Sequence, residues 1–442
     1  MRKSLLSCAL LFFLSSVDAQ NYYMAAPEGF GENATGGGTA APQLATTYND
    51  LKAKISASGA AVILVSGTIT IPAGGSISAV VIDKTIVGLP GARLVNNTQT
   101  QSGSGILYLK QGSSNVIIRN LVFEGPGAFD VDGRDNLTAD GCTDLWVDHC
   151  EFQDGIDGNF DIKGKSDNVS VTWCKFTYLK PPLAGGSGGA NDHRYSNLVG
   201  SGSSDAPVDG HYSVTFQNCY WADGCRERMP RARNAELHIL NCYYNTSVPG
   251  SRALGLGGGI NNLSCYVENT DFDTIGTTYK DYSSSDGGVV ALAFDGCLNG
   301  VADVGTVAKP NYNYTVLPVA DVSTYVANPQ CGAGATLDVT AEGNISSPCG
   351  GSTGFADPAK AGIIKLYPAI TGGSLFIDFS DACAGKASID IYSMDGQLMS
   401  SLSKEIPGGR KIQLNVAGLP GGLYLCRIQN GQTSATHRLI KS

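Results

Sequence analysis

One phrase occurs five times between residues 115 and 244. Asn115-Val-Ile-Ile-Arg-Asn-Leu-Val-Phe123 is echoed by Asp144-Leu-Trp-Val-Asp-His-Cys-Glu-Phe152 and by Asn168-Val-Ser-Val-Thr-Trp-Cys-Lys-Phe176, then by residues 213–221 and 236–244. Alignment puts Cys150, Cys174, Cys219 and Cys242 in one column with Cys265 next, at intervals of 24, 45, 23 and 23 residues. A short β-branched run with a period in the low twenties cannot bury its apolar face alone, so each unit must stack on the last. The pattern therefore predicts an all-β chain, a parallel β-helix. The interval of 45 is one coil carrying an inserted loop, and the Gly-rich run 180–190 is that loop by composition.

Residues 1–19 read as a signal peptide: Arg2 and Lys3, an apolar run, then small residues up to Ala19. No later stretch approaches eighteen unbroken apolar residues, so a soluble, exported, monomeric protein is expected. The formal net charge of -9 argues against bulk attraction to polyanions, and no nucleic-acid partner is expected. Once Cys8 is removed with the leader, twelve cysteines of 13 stay. Stacked coils place like residues about 4.8 Å apart, beyond disulfide reach without distortion. The column thus reads as buried small hydrophobes, while Cys331 and Cys349 lie outside it and can pair across a loop. The β-helix domain is expected over 20–349, beginning with a helix over 49–55 capped by Asn49 or Asp50. A Gly/Ser linker follows over 350–363. Residues 364–442 alternate short strands with the turns Asp395-Gly396 and Asn430-Gly431, a small antiparallel β-sandwich.

Chemistry concentrates in Arg226-Glu-Arg-Met-Pro-Arg-Ala-Arg233. Four guanidiniums in eight residues repel one another unless water or an anion separates them, and a rigid Arg cluster reads as a carboxylate clamp. One stretch earlier stand Asp135, Asp157 and Asp161. The first two are 22 residues apart, so they should occupy neighbouring rungs; the last two differ by four and would share a strand face. Three converging carboxylates need a cation, and oxygen-only ligands suit Ca²⁺. Arg228 should lie about two rungs, roughly 10 Å, beyond. A plainer reading makes these aspartates turn residues, since Asp132-Gly133 and Asp157-Gly158 are turn dipeptides.

Trp146-Val-Asp-His149, the three aspartates and Arg228-Met-Pro-Arg-Ala-Arg233 together resemble pectate lyase family one, as do Ala26-Pro-Glu-Gly-Phe-Gly31 and the first repeat phrase. The resemblance spans about residues 22–300. It implies a right-handed parallel β-helix that cleaves polygalacturonate by Ca²⁺-dependent β-elimination. It further implies calcium on Asp135, Asp157 and Asp161, Arg228 as base, and Arg231 and Arg233 on substrate carboxylates. The family's substrate-gripping lysine falls at Tyr195, so Arg194 or Lys180 would take its place. His149 reads as structural. A base with a pKa above about 12 leads to an alkaline optimum. The tail, with Leu366-Tyr-Pro368 and Gly418-Leu-Pro-Gly-Gly-Leu-Tyr424, resembles a type IX secretion sorting domain. That implies the type IX secretion machinery as partner, and release from, or display on, a gram-negative cell. The rivals are a lyase for methyl-esterified pectin, a hydrolase of the same solenoid class, and a non-catalytic acidic-glycan binder.

Overall fold

A computed structural model describes residues 22–349 and, in the tail, 364–367, 370–371, 373–379, 385–393, 397–406, 411–430 and 433–441. The expected leader, the whole of the linker, Cys383 and the turn residues Asp395, Gly396 and Gly431 lie outside them. The chain divides into two compact units, Met1–Thr353 and Gly354–Ser442.

In the first unit three parallel sheets run side by side, one of ten strands and two of eight. Each coil contributes one strand to each sheet in turn, as Thr143–Asp148, Glu151–Gln153 and Phe160–Lys163 do. The next coil stacks on them with Asp167–Thr172, Lys175–Thr177 and Leu198–Val199. This is the solenoid that the period implied. The repeated phrase, however, is not one face: Asn115–Phe123 turns a corner, from Ser114–Arg119 in the first sheet to Val122–Glu124 in the second.

Each corner turns on one left-handed residue: Asn120, His149, Trp173, Asn218, Asn241 and Asn269 have φ between 43° and 56°. Asparagine tolerates this region better than other non-glycine residues, which explains its recurrence. Immediately after it, Leu121, Cys150, Cys174, Cys219, Cys242 and Thr270 point inward and are buried. The column therefore continues through Thr270 and not Cys265. Cys265 sits mid-strand opposite Leu237, because a longer loop stretches that coil beyond 23 residues. The column cysteines are free thiols, and Cys331 is bonded to Cys349. Beneath the second sheet Phe123, Phe152, Phe176, Trp221, Tyr244 and Phe272 form a ladder of stacked rings with centroids 4.5 to 5.4 Å apart. Each such pair adds about 0.5–1.5 kcal/mol beyond the area it buries.

Two straps lie along the solenoid. The N-terminal segment hydrogen-bonds across successive coils, Gly31 N to Ser170 Oγ, Thr35 N to Asn115 Oδ1 and Gly37 N to Thr85 Oγ1. The segment after the last coil turns back. Asn241 holds Leu317 through both its main-chain groups, and Asn120, four coils earlier, holds Leu337 the same way. The helix Tyr48–Ser56 buries Leu51 and Ile55 at the first coil; its N-cap is Thr47, which accepts from Asp50 N, rather than Asn49 or Asp50. The second unit pairs Ile364–Tyr367, Ser374–Phe379 and Lys411–Asn415 in one antiparallel sheet. A second sheet holds four antiparallel strands and a short parallel edge, Ile370–Thr371.

Candidate active site

The acidic and basic residues gather where the chain enters the third sheet, on successive coils. Asp135 lies two residues before the strand Leu137–Asp140, and Asp161 lies within Phe160–Lys163, where it pairs with Thr138. Asp135 Oδ2 accepts from Thr138 Oγ1 at 2.9 Å, and Asp161 Oδ1 accepts from Leu198 N at 3.0 Å. Both carboxylates close on Gly158: a Cβ there would stand 2.6 Å from Asp135 Oδ1 and 3.2 Å from Asp161 Oδ1. The pairing offset is 23, so the rung partner of Asp135 is Gly158 and not Asp157. Asp157 belongs to the bend before the strand, and strand parity with Asp161 does not govern it.

The charges nevertheless interact. Burial and the nearby Asp157 push Asp135 up to about 6, against the pull of Lys163 and Arg228. Burial and Asp135 raise Asp161 well above the usual carboxylate range. Lys163 stays charged because Asp135 and Asp161 outweigh its own burial. Asp157 leans the other way, with Oδ1 3.0 Å from His193 Nε2, while His193 Nδ1 is 3.3 Å from Asp130 Oδ1. Both contacts are close yet misaligned for hydrogen bonds. Among the described residues, Asp130, Asp157 and His193 are the set whose ligand atoms lie within 4.8 Å of one another. Neither Asp130 nor His193 is in phase with a repeat that would have marked it in the sequence. Glycines of the inserted loop fix Asp130, since a Cβ on Gly188 would reach within 2.0 Å of its Oδ1 and Ala190 N donates to its Oδ2.

Arg228 lies two coils beyond Asp161, at φ 58°, with its main-chain oxygen accepting from Asn197 N at 2.6 Å. Its guanidinium carbon sits 4.7 Å from the centre of the Tyr195 ring. Its charge reaches both Asp135 and Asp161. The other arginines have carboxylate partners. Arg231 and Arg233 share Asp286, and Arg231 also stacks on Tyr282 at 4.0 Å. Arg226 lies 3.4 Å from Asp192, and Arg194 grips the same carboxylate in a bidentate fork at 2.7 and 2.6 Å. Lys180 turns to Glu124 Oε1 and Gly125 O. The anion expected among the arginines is thus in part the protein's own Asp286, and Arg194 and Lys180 are already engaged. A cleft of about 180 Å³ opens beside Arg228, lined by Tyr195, Glu227, Arg231, Arg252 and Tyr282 among others.

His149 lies outside this site. It is fully buried, stacked on Trp173, with Nδ1 2.9 Å from Asp148. Burial opposes charge on Asp148, but His149, Arg119 and Thr172 outweigh it and hold the carboxyl at about 2. The phrase Trp146-Val-Asp-His149 is a structural network.

The pectate lyase family profile matches residues 4–277, more than half of the chain. The chain belongs to the pectate lyase family. A second profile, the secretion system C-terminal sorting domain, matches residues 365–442. A pectate trisaccharide-lyase of Thermotoga sp. strain RQ2 is 35% identical over 206 residues, 45% of this chain and 50% of its own length. A probable pectate lyase A of Aspergillus niger is 31% identical over 247 residues, 53% of this chain and 66% of its own. The chain spans about half the length of the first of these relatives. Among solved structures, an arginine-to-lysine variant of a Bacillus subtilis pectate lyase superposes with a TM-score of 0.54 at 20% identity, covering 70% of this chain and 97% of that one. The major allergen of cedar pollen gives 0.54 at 19% identity, with 70% and 92% covered. At these identities the structural likeness speaks for the fold, and the pectate lyase solenoid is the fold observed.

Proposed function

We propose that this pectate lyase family member is a secreted enzyme that cleaves α-1,4-polygalacturonate by calcium-dependent β-elimination, leaving a 4,5-unsaturated product. The observation that carries the reading is the alignment, along one side of the solenoid, of a buried acidic pocket and an arginine with no carboxylate partner among the described residues.

The donors fit the ion. Asp135, Asp157 and Asp161 offer oxygen alone, as a hard divalent cation prefers. The pocket between Asp135 and Asp161 is kept open by a glycine, and both carboxyls resist ionisation without a compensating charge. When bound, calcium would supply positive charge beside the uronate carboxylate and so acidify the adjacent C5–H. Arg228 would take that proton. As the C5–H electrons form the C4–C5 double bond, the C4–O bond breaks and the leaving chain keeps the pair. Arg231 and Arg233, already positioned by Asp286, present a cationic wall for a second carboxylate. The sorting-domain match supports passage through the type IX machinery, and release from or display on a gram-negative surface.

A second reading, a lyase for methyl-esterified pectin, draws support from Arg194 and Lys180 being occupied and Tyr195 standing beside the base. The two separate in one assay. Purified protein is given polygalacturonate or highly esterified pectin, with and without chelator, and the ultraviolet absorbance of unsaturated product is followed. Calcium-dependent absorbance on polygalacturonate is the expected result. Chelator-insensitive absorbance on pectin would favour the second reading; reducing ends without absorbance would indicate hydrolysis, and binding alone a glycan-binding protein.

A further inference from the structure

We infer that Tyr195 is the positioning residue of the base: its ring holds the Arg228 guanidinium in place by a cation–π contact where the neighbouring arginines have a carboxylate. The inference rests on the proposed lyase reading and adds to it a residue and a role.

Arg194, Arg226, Arg231, Arg233 and Arg252 all lie within ion-pair distance of a carboxylate, at Asp192, Glu227 or Asp286. Such partners fix an arginine and also favour its charged form: the hydrogen bonds Arg194 donates to Asp192 raise Arg194, and the charge of Glu227 raises Arg252. Asp286 pulls Arg231 the same way, though burial and Arg233 leave it lowered. A base must be held without that pull. Glu227, next to Arg228 in the chain, is turned away to Arg252 at 3.1 Å. Arg228 has instead an aromatic face at 4.7 Å. An aromatic quadrupole attracts the cation and restrains its plane, but it accepts no in-plane hydrogen bond and brings no full negative charge.

Tyr195 is itself well fixed. It bridges Glu227 on the next coil, its main-chain oxygen accepts from Tyr178 Oη, and its ring lies 4.1 Å from that of His193. It occupies the coil between Asp161 and Arg228, and with Arg228 it lines the cleft.

The test compares Tyr195→Phe, Tyr195→Leu and Tyr195→Met with wild type on polygalacturonate, with calcium affinity measured on each variant as a check on folding. Phe keeps the ring and should keep kcat. Leu and Met should lower kcat roughly three- to thirty-fold, the rate equivalent of a cation–π contact, with KM and calcium affinity little changed. In parallel, the Arg228 Nε–Hε resonance, identified by its loss in Arg228→Lys, should be shifted upfield by the ring in wild type and Phe and move back in Leu. A wild-type rate in Leu and Met, or an Arg228 resonance that ignores the substitution, overturns the inference alone. No unsaturated product from wild type overturns the lyase reading and this role with it.

Discussion

Individual side chains decide what the cleft can do. Asp135 stands near 6 because burial and Asp157 disfavour its charge, so without a cation it takes up a proton below that pH. Metal binding requires the ionised form, and proton and calcium therefore compete. From Asp135 alone calcium affinity should be roughly tenfold weaker at pH 5 than at pH 7, with proton release on binding, and Asp161, raised as well, adds to the same trend. Calorimetry in buffers of different ionisation enthalpy measures both quantities, and an affinity that stays constant from pH 5 to 7 would argue against Asp135 as a ligand. The spacing puts Asp135 and Asp157 in register on neighbouring rungs and Asp157 and Asp161 on one strand face. The offset of 23 and the bend at Asp157 undo both steps, and what remains is that the three lie on neighbouring coils. His193 was not legible, since it follows the inserted loop, whose path no periodicity encodes. Asp130 gave no signal of its own. Tyr195 was visible as a departure from the family's lysine, but its stacking on Arg228 was not, because two neighbouring coils had first to be brought into register.

At the scale of elements, corners and loops carry more than strands. The repeated phrase revealed the solenoid, yet the left-handed asparagines split it between two sheets, and a pattern of hydrophobic residues cannot show where a strand turns. The segment over Arg231 and Arg233 is the other case. The short helix Ser283–Asp286 brings Asp286 against Gly257, where a Cβ would stand 2.2 Å from its Oδ2, and the same carboxylate binds both arginines. Removing one partner of a buried ion pair strands the other charge, at a cost of about 3–5 kcal/mol. Asp286→Ala should therefore lower unfolding stability by about that amount, read from denaturant curves. An unchanged midpoint would mean the two arginines are not held by Asp286 in solution. Nothing in the sequence pointed to this pairing, since the partners lie more than fifty residues apart with no shared period.

The molecule as a whole separates support from chemistry. Both straps pack along the first sheet and its corners, stitched by Asn120 and Asn241, while the acidic pocket and the arginines line the approach to the third. Among the described residues no helix is long and apolar enough to cross a membrane. The stacked fold could be read from the chain because one coil specifies the next; the returning strap could not, because each of its contacts is made once. What the stacking achieves is to carry Asp135, Asp161, Tyr195 and Arg228 on successive coils, with Tyr195 and Arg228 lining the same cleft. Turnover of polygalacturonate by Arg228→Lys, with calcium affinity measured on the same preparation, tests most directly whether Arg228 takes a proton beside a calcium held by the aspartates. If it does, the rate should be lower by roughly 10²–10⁴-fold, the share of a positioned general base, at unaltered calcium affinity; a near-wild-type rate would rule Arg228 out as the base.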